Sequence, residues 1–258
     1  MNIYIMSLLD SIIQQNIIAF SRLESVRSMG YFANPEFLSQ QLSVVSDFYL
    51  SFFQQLKFIP IGAYKLHHHG HYNLKGKKTD NTTILQTIQK INEAEFNSND
   101  IIPVQLRYSD KNNLHFVAGI VRIENKKSAE FHLVDLFIPK RLITGVSHNI
   151  GYVRDILDSY TKDMKDSKRT NSGKSIVEYI TSKGYSYNRF LQDFKAYFGD
   201  TFYSFILKKR IIEAVGEMIF TVKSLKEIAF ENGFEGYKTM HKAFKRYEVP
   251  RSKIPRLV

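Results

Sequence analysis

Two short segments near the end of the chain share one arrangement of residues, and each ends in Phe-Lys. The first covers residues 187–195 and the second residues 237–245. In both segments large apolar residues recur four positions apart, which is the spacing of one face of an α-helix. The pair therefore predicts two similar helices, each with one buried face and one polar face, and this arrangement is typical of proteins that contact DNA.

Composition limits the class of protein before any motif is considered. The chain has 258 residues, of which 43% are hydrophobic, and this is enough for one large domain or two ordinary ones. No apolar run reaches the roughly 18 residues of a membrane span. The first residues lack the features of a signal peptide, so we expect a cytoplasmic protein without a membrane partner. The absence of cysteine excludes disulfides, thiolate zinc sites and cysteine nucleophiles.

The net charge of +11 is unevenly distributed along the chain. Residues 151–258 contain 21 Lys and Arg against 13 Asp and Glu, whereas residues 1–150 contain 15 against 12. A basic excess in one part is expected of a nucleic-acid-binding region. Anionic membrane surfaces attract the same charge, so charge alone does not separate these two partners.

The front of the chain shows helical periodicity followed by strand-like segments. Two helices are predicted in residues 1–58, and the second is expected to begin at Asn34-Pro35-Glu36. Residues 67–81 are polar and predict a loop or a poorly ordered segment, and residues 82–96 predict a third helix. Residues 101–108, 114–124 and 129–138 predict three antiparallel strands in a meander.

The second part of the chain is predicted to be entirely α-helical. Its apolar spacing is helical throughout, with Gly184, Gly199 and Gly233 between the helices. We therefore predict an α+β sensor or dimerisation domain in residues 1–150, a linker in residues 151–173 and a domain with two helix-turn-helix units in residues 174–258.

A helix-turn-helix divides its second helix into a buried face and a face that reaches bases in the major groove. Phe190 and Phe194 are expected to be buried in the first unit, as are Met240 and Phe244 in the second. Asn and Gln bond adenine edges, Leu contacts the thymine methyl, and most cationic contacts go to phosphate. The candidate DNA-binding residues are Asn188, Leu191, Gln192, Lys195, Tyr237, Lys238, His241, Lys242, Lys245 and Arg246.

Residues 228–245, from Ile228-Ala229 through Gly233-Phe234 to Phe244-Lys245, resemble the signature of the AraC/XylS transcription regulators. Residues 210–214 are similar to the connecting helix of that family. The resemblance covers about residues 174–255. It implies a seven-helix domain that places two helices in successive major grooves, and it places base contacts on the residues named above, from Asn188 to Gln192 and from Tyr237 to Lys242.

Three positions or regions depart from the family pattern. Met240 stands where an aromatic residue is usual, and Arg251 stands where proline is common. The front region begins with two long helices and has too few strands for the cupin-like barrel that often accompanies this domain. Its strand half, residues 104–139, faintly resembles the closing sheet of PAS-type sensors.

The cluster His67-His68-His69-Gly70-His71 is the other conspicuous feature. Imidazoles bind zinc, copper or nickel, but neighbouring histidines in a loop rarely form one ordered shell. We expect a polar loop with no metal and no cofactor, and metal binding is the alternative. The sequence contains no phosphate-binding glycine loop, no Gly-x-Ser-x-Gly and no His-Glu-x-x-His, so no enzyme is predicted.

The leading hypothesis is a bacterial transcription regulator of AraC type that binds double-stranded promoter DNA. A small-molecule effector, a homodimer and RNA polymerase are its candidate partners. The alternative is a ligand- or metal-binding protein whose helical C-terminal domain is a protein-interaction module. A third hypothesis, a non-specific architectural DNA-binding protein, predicts no sequence preference.

Overall fold

The computed structural model describes residues 3–27, 35–73, 100–125, 127–143, 151–167 and 175–258. Among the described residues, three helices precede the sheet: α1 (Ile3–Arg22), α2 (Glu24–Arg27) and α3 (Pro35–Gln55). The two long helices predicted for this region are confirmed as α1 and α3. Their apolar residues fall on one face of each helix, and Leu9 and Phe52 are among those that are completely buried.

Four strands follow: β1 (Tyr64–Asn73), β2 (Ile101–Ser109), β3 (Asn113–Asn125) and β4 (Ser128–Pro139). All neighbours are antiparallel, in the order β1-β4-β3-β2. The predicted three-stranded meander is confirmed as β2, β3 and β4. The β2–β3 turn closes where the Asp110 carboxylate accepts the backbone N–H groups of Asn112 and Asn113 at 2.7 and 2.5 Å.

Strand β1 corrects the prediction of a polar loop over residues 67–81. Residues 67–73 belong to this strand, which pairs with β4 along its whole length, with His69 opposite His132. Because β1 is at the edge of the sheet, it tolerates the polar side chains that hid it in the sequence. Residues 74–81 and the helix predicted over residues 82–96 lie outside the described residues.

Both faces of the sheet bear buried apolar residues. One face packs against α1 and α3, and this core contains Ile17, Phe20, Leu38, Leu42, Ile120 and Val134. The other face has a separate cluster of Val104, Val117, Val121, Ile123, Ala129 and Leu133.

A helix occupies most of the segment that the sequence predicted as a linker. Helix α4 (Tyr152–Ser167) buries Val153, Ile156 and Leu157, whose spacing places them on one face. These apolar residues precede the polar run on which the linker was inferred, which is why the sequence did not indicate a packed helix. The domain boundaries stay a prediction.

The remaining helices are α5 (Ile176–Ser182), α6 (Tyr187–Phe198), α7 (Phe202–Phe220), α8 (Leu225–Glu231) and α9 (Tyr237–Arg246), followed by a 3-10 turn (Arg251–Lys253). The predicted fold class, an α+β part followed by an all-α part, is confirmed. Between residues 175 and 255 the structure has five α-helices and the 3-10 turn, one helical segment fewer than the seven-helix domain that the resemblance implies for about residues 174–255. None of the described helices has the length and apolar character needed to cross a membrane.

The front helices pack directly against the C-terminal helices. The rings of Phe58 and Phe205 meet edge to face with centroids 5.9 Å apart. The Gln55 side chain at the end of α3 donates to the backbone oxygen of Glu248 at 2.5 Å. One hydrophobic core therefore continues from α1 and α3 into the helices that follow the sheet.

Candidate nucleic-acid interface

The two predicted helix-turn-helix units begin with the same cap. Ser175 precedes α5, where its hydroxyl accepts the backbone N–H of Glu178 at 3.2 Å while the Glu178 carboxylate accepts the Ser175 N–H at 2.9 Å. Ser224 and Glu227 repeat this reciprocal pair before α8 at 3.3 and 2.8 Å. Each pair satisfies two backbone donors that a helix start leaves free.

The turns of the two units are also copies of each other. Gly184 and Gly233 have φ values of +82° and +85°, a conformation that glycine adopts at little cost. After each glycine the chain reverses through one backbone hydrogen bond, from Tyr185 N–H to the Ile180 oxygen (3.2 Å) and from Phe234 N–H to the Ala229 oxygen (2.9 Å). These are the bonds of a Schellman motif, which ends a helix sharply. The repeat seen in the sequence therefore extends through both complete units.

The buried faces of α6 and α9 are those that the sequence predicted. Phe190, Phe194 and Met240 have no exposed surface, and Phe244 is 1% exposed. The Phe194 ring lies 5.2 Å from that of Phe202, at the start of α7. Methionine is flexible enough to fill an irregular apolar space, which explains why it can replace the aromatic residue that is usual at position 240.

The opposite faces of α6 and α9 are open to solvent and lack negative charge. Asp193 is the one carboxylate within these two helices, and it is buried. Of the ten predicted DNA-binding residues, Leu191 and Tyr237 are partly buried. The exposed ones are Asn188, Gln192, Lys195, Lys238, His241, Lys242, Lys245 and Arg246. Both faces thus present polar and cationic groups, as a DNA contact surface requires.

Asp193 has a structural role that links α4 to the first unit. Its carboxylate accepts hydrogen bonds from the Tyr152 hydroxyl at 2.5 Å and from Arg189 Nε at 2.9 Å. The Tyr152 ring stacks on Tyr185 in the turn, with centroids 4.5 Å apart. Burial and the Asp193 carboxylate raise the pKa of Tyr152, so its hydroxyl keeps the proton that it donates. Helix α4 therefore stabilises α6, the second helix of the first unit, and the turn before it.

The helix α7 connects the two units. It has 19 residues and is therefore about 28 Å long at a rise of 1.5 Å per residue. It includes residues 210–214, which resemble the connecting helix of the AraC/XylS family. Arg210 on this helix donates to the backbone oxygen of Gly233 at 3.0 Å, which fixes the second turn to the connecting helix.

Arg251, which the sequence did not predict as a site residue, lies against the second recognition helix. It donates to the Tyr237 hydroxyl, and its guanidinium is 5.5 Å from the centroid of that ring. A nitrogen of the same guanidinium is 3.5 Å from Nδ1 of His241. The signal in the sequence was the departure from proline at position 251, which alone did not indicate a contact.

Residues 173–248 match a family model described as a helix-turn-helix domain, of the AraC type. No curated protein and no solved structure matches the chain. The C-terminal region is therefore an AraC-type helix-turn-helix domain, which supports a DNA-binding regulator. A domain of this type is regulatory and not catalytic.

Proposed function

We propose that this protein is a sequence-specific transcription regulator that contacts promoter DNA with α6 and α9 together. The observation that carries the proposal is the duplication of the whole unit: two capped helices, two glycine turns and two exposed recognition faces without carboxylates. Two cationic faces without carboxylates match the negative charge of the DNA backbone. Location in a bacterial cytoplasm, a homodimer and contact with RNA polymerase belong to the same proposal.

The exposed residues divide into two chemical roles. Asn188, Gln192 and His241 are hydrogen-bonding side chains in the first two turns of their helices, the part of a recognition helix that enters the major groove. Leu191, Tyr237, Lys238 and Lys242 complete the base-contacting set. Lys195, Lys245 and Arg246 are at the other end of these helices, where cations contact phosphate.

The length of α7 supports simultaneous binding by both units. The helix spans about 28 Å, whereas successive major grooves on one side of B-DNA are about 34 Å apart. A modest bend of the DNA towards the protein reduces this difference, so sites that bend easily are favoured. One monomer then contacts two adjacent major grooves.

A binding comparison with the full-length chain tests this function. The probe is the DNA segment upstream of the protein's own gene, and the control is a shuffled duplex of equal length and composition. Tighter binding to the upstream segment by tenfold or more is expected at physiological salt, since non-specific contacts are shared by both. Equal affinities would reject sequence-specific regulation, and no binding to either duplex would favour a protein-interaction module.

The front region has a cavity that favours a role as a ligand sensor. About 90 Å³ of space lies between α1, α3 and the sheet, with mainly apolar walls that include Ile17, Leu42 and Val134. Asn16 and Tyr49 supply polar groups, and they are joined by a hydrogen bond of 3.2 Å. A small, mainly apolar ligand fits walls of this kind, which have few polar groups.

The same cavity touches the DNA-binding region. Phe220, the last residue of α7, forms part of its wall, and Gly216 on α7 faces the polar ends of Asn16 and Tyr49. A ligand that shifts α1 or α3 therefore acts on the helix that sets the spacing of the two recognition helices. This contact is how the proposed sensor would alter DNA affinity.

Xenon and benzene, a smaller and a larger apolar probe, test the sensor role. Either probe is expected to raise the Tm of the full-length chain and to change its affinity for the upstream DNA. The variant Ala118→Leu extends a side chain of the cavity wall into the space and is expected to lose both responses. Responses of equal size in this variant, or a Tm shift without any change in DNA affinity, would reject the proposed coupling.

A further inference from the structure

Three side chains with metal-binding groups meet on the face of the sheet that packs against α3. They are His69 on β1 and Glu130 and His132 on β4. His69 pairs directly with His132 across the two strands, and Glu130 is two residues away from His132 on the same strand. All three side chains therefore point to the same face of the sheet.

The distances between their ligand atoms are those of a metal-binding set. Nε2 of His69 is 3.1 Å from Oε1 of Glu130, and Nε2 of His132 is 3.2 Å from the same oxygen. All three ligand atoms lie within 4.8 Å of one another. Ligands bound at about 2.0–2.1 Å to one tetrahedral ion are separated by about 3.3 Å, so small movements would place these atoms around a single ion.

The buried nitrogen of His132 provides a second, independent observation. This side chain is 1% exposed, and its Nε2, although 3.2 Å from Oε1 of Glu130, makes no hydrogen bond of suitable geometry with any described residue. Its Nδ1 lies 2.7 Å from the Ser39 hydroxyl on α3, and when Nδ1 donates to it, Nε2 holds a lone pair. In this tautomer a cation between Nε2 and the Glu130 carboxylate would satisfy both groups, whereas in the other tautomer Nε2–H points towards Oε1 of Glu130.

The surrounding residues hold two of these ligands as metal sites usually do. Arg122 donates to Oε2 of Glu130 from Nη2 at 2.7 Å and from Nε at 3.1 Å. The other oxygen, Oε1, is the one that both imidazoles approach. Ser39 orients His132 in the same way. A histidine that binds a metal usually forms a hydrogen bond through its other ring nitrogen, and here Nδ1 of His132 contacts the Ser39 hydroxyl. Glu124, whose Oε1 is 3.6 Å from Arg122, offsets the positive charge of the guanidinium.

We propose that His69, Glu130 and His132 form a binding site for a divalent first-row transition-metal ion. Two imidazoles and one carboxylate favour such ions over Mg²⁺ and Ca²⁺, which prefer all-oxygen ligands. The His69 side chain is 39% exposed, so solvent supplies the remaining coordination positions. The bound ion joins the edge strand β1 to β4 and, through Ser39, orients the sheet against α3. This proposal is independent of the DNA contacts.

The test uses the full-length chain without a histidine tag, stripped with EDTA and then titrated with Zn²⁺. Elemental analysis after gel filtration is expected to find one Zn²⁺ per chain, and Tm is expected to rise with Zn²⁺ concentration. His69→Ala removes one ligand at a half-exposed position and is expected to weaken Zn²⁺ binding at least tenfold. Ser39→Ala is expected to weaken it roughly tenfold through the orientation of His132.

His71→Ala is the matched control, because His71 is on the same strand and face but contacts Glu124 at 3.1 Å outside the set. It is expected to bind Zn²⁺ like the unaltered chain. Circular dichroism in EDTA checks that every variant is folded. Loss of binding in His71→Ala equal to that in His69→Ala would mean adventitious binding by a histidine-rich strand. That result would overturn the proposal, as would an unaltered chain that retains no Zn²⁺.

Discussion

The guanidinium of Arg251 lies over the ring of Tyr237 and donates to its hydroxyl, and the Tyr237 ring in turn is 6.0 Å from the imidazole of His241. The 3-10 turn after the second recognition helix therefore holds two of the proposed base-contacting side chains in position. Side chains that are fixed before binding lose less conformational entropy when DNA binds.

Removing this contact should reduce sequence discrimination. In Arg251→Ala we expect the ratio of specific to non-specific affinity to fall by about fivefold, or about 1 kcal/mol, because Tyr237 and His241 lose their support. Arg256→Ala is the control, since it removes an equal charge from an exposed residue near the C-terminus. Fluorescence anisotropy with upstream and shuffled duplexes measures the ratio of specific to non-specific affinity for each variant. A ratio unchanged by Arg251→Ala would show that the contact does not position these side chains.

Gln192 and His241 should contribute to specific binding in particular. Gln192→Ala and His241→Ala are each expected to weaken specific binding by about 1–3 kcal/mol, while non-specific binding changes little. Val222→Ala serves as the control, because Val222 is 89% exposed and lies outside both recognition helices. Competition gel shifts provide the measurement. Equal losses on specific and shuffled DNA would reject these two residues as base readers.

Lys245 should act through phosphate contacts. In Lys245→Ala, the slope of the logarithm of the binding constant against the logarithm of salt concentration should decrease by about 0.9, the value for one lost phosphate contact. Specific and non-specific DNA should be affected alike. Gln192→Ala is the comparison, and its slope should equal that of the unaltered chain. Anisotropy titrations over several salt concentrations measure the slopes; an unchanged slope in Lys245→Ala would exclude the assigned role.

Two glycine substitutions should change stability in opposite directions. Gly216 is within the connecting helix, and an added Cβ would be 3.6 Å from its nearest neighbours, the Asn16 Oδ1 and the Tyr49 hydroxyl, which is an ordinary contact. Gly216→Ala should therefore raise the free energy of unfolding by about 0.5–1 kcal/mol. Gly199 ends α6 with a φ of +72°, so Gly199→Ala should lower it by about 1 kcal/mol. Urea denaturation measures both changes. Destabilisation by Gly216→Ala would show that the space between Gly216 and the side chains of Asn16 and Tyr49 is too small for a methyl group.

The helical part of the fold was predictable because its signals are local. The glycines at positions 184 and 233 mark the turns, and the buried faces of α6 and α9 follow from the spacing of Phe190, Phe194, Met240 and Phe244. Exposed faces follow from buried ones, so the ten candidate DNA-binding residues could be named from the sequence. Which of them contact bases stays a prediction, because that depends on the DNA.

Features that depend on distant residues were not predictable. Strand β1 is polar, so only its pairing with β4 reveals it as a strand. The approach of His69 to Glu130 joins residues 61 positions apart and depends on the register of that pairing. Without Glu130 beside them, the histidines predicted only a polar loop. Arg251 was missed for a similar reason, since its partner Tyr237 is on a different helical segment.

The central claim is that both recognition helices bind adjacent major grooves of one site. Selection of bound sequences from random DNA with the full-length chain tests it most directly. The expected result is a site with two conserved segments about one helical turn apart. In Gln192→Ala the conservation of one segment should weaken, and in His241→Ala that of the other. A single short conserved segment, or no enrichment of any sequence, would contradict the account.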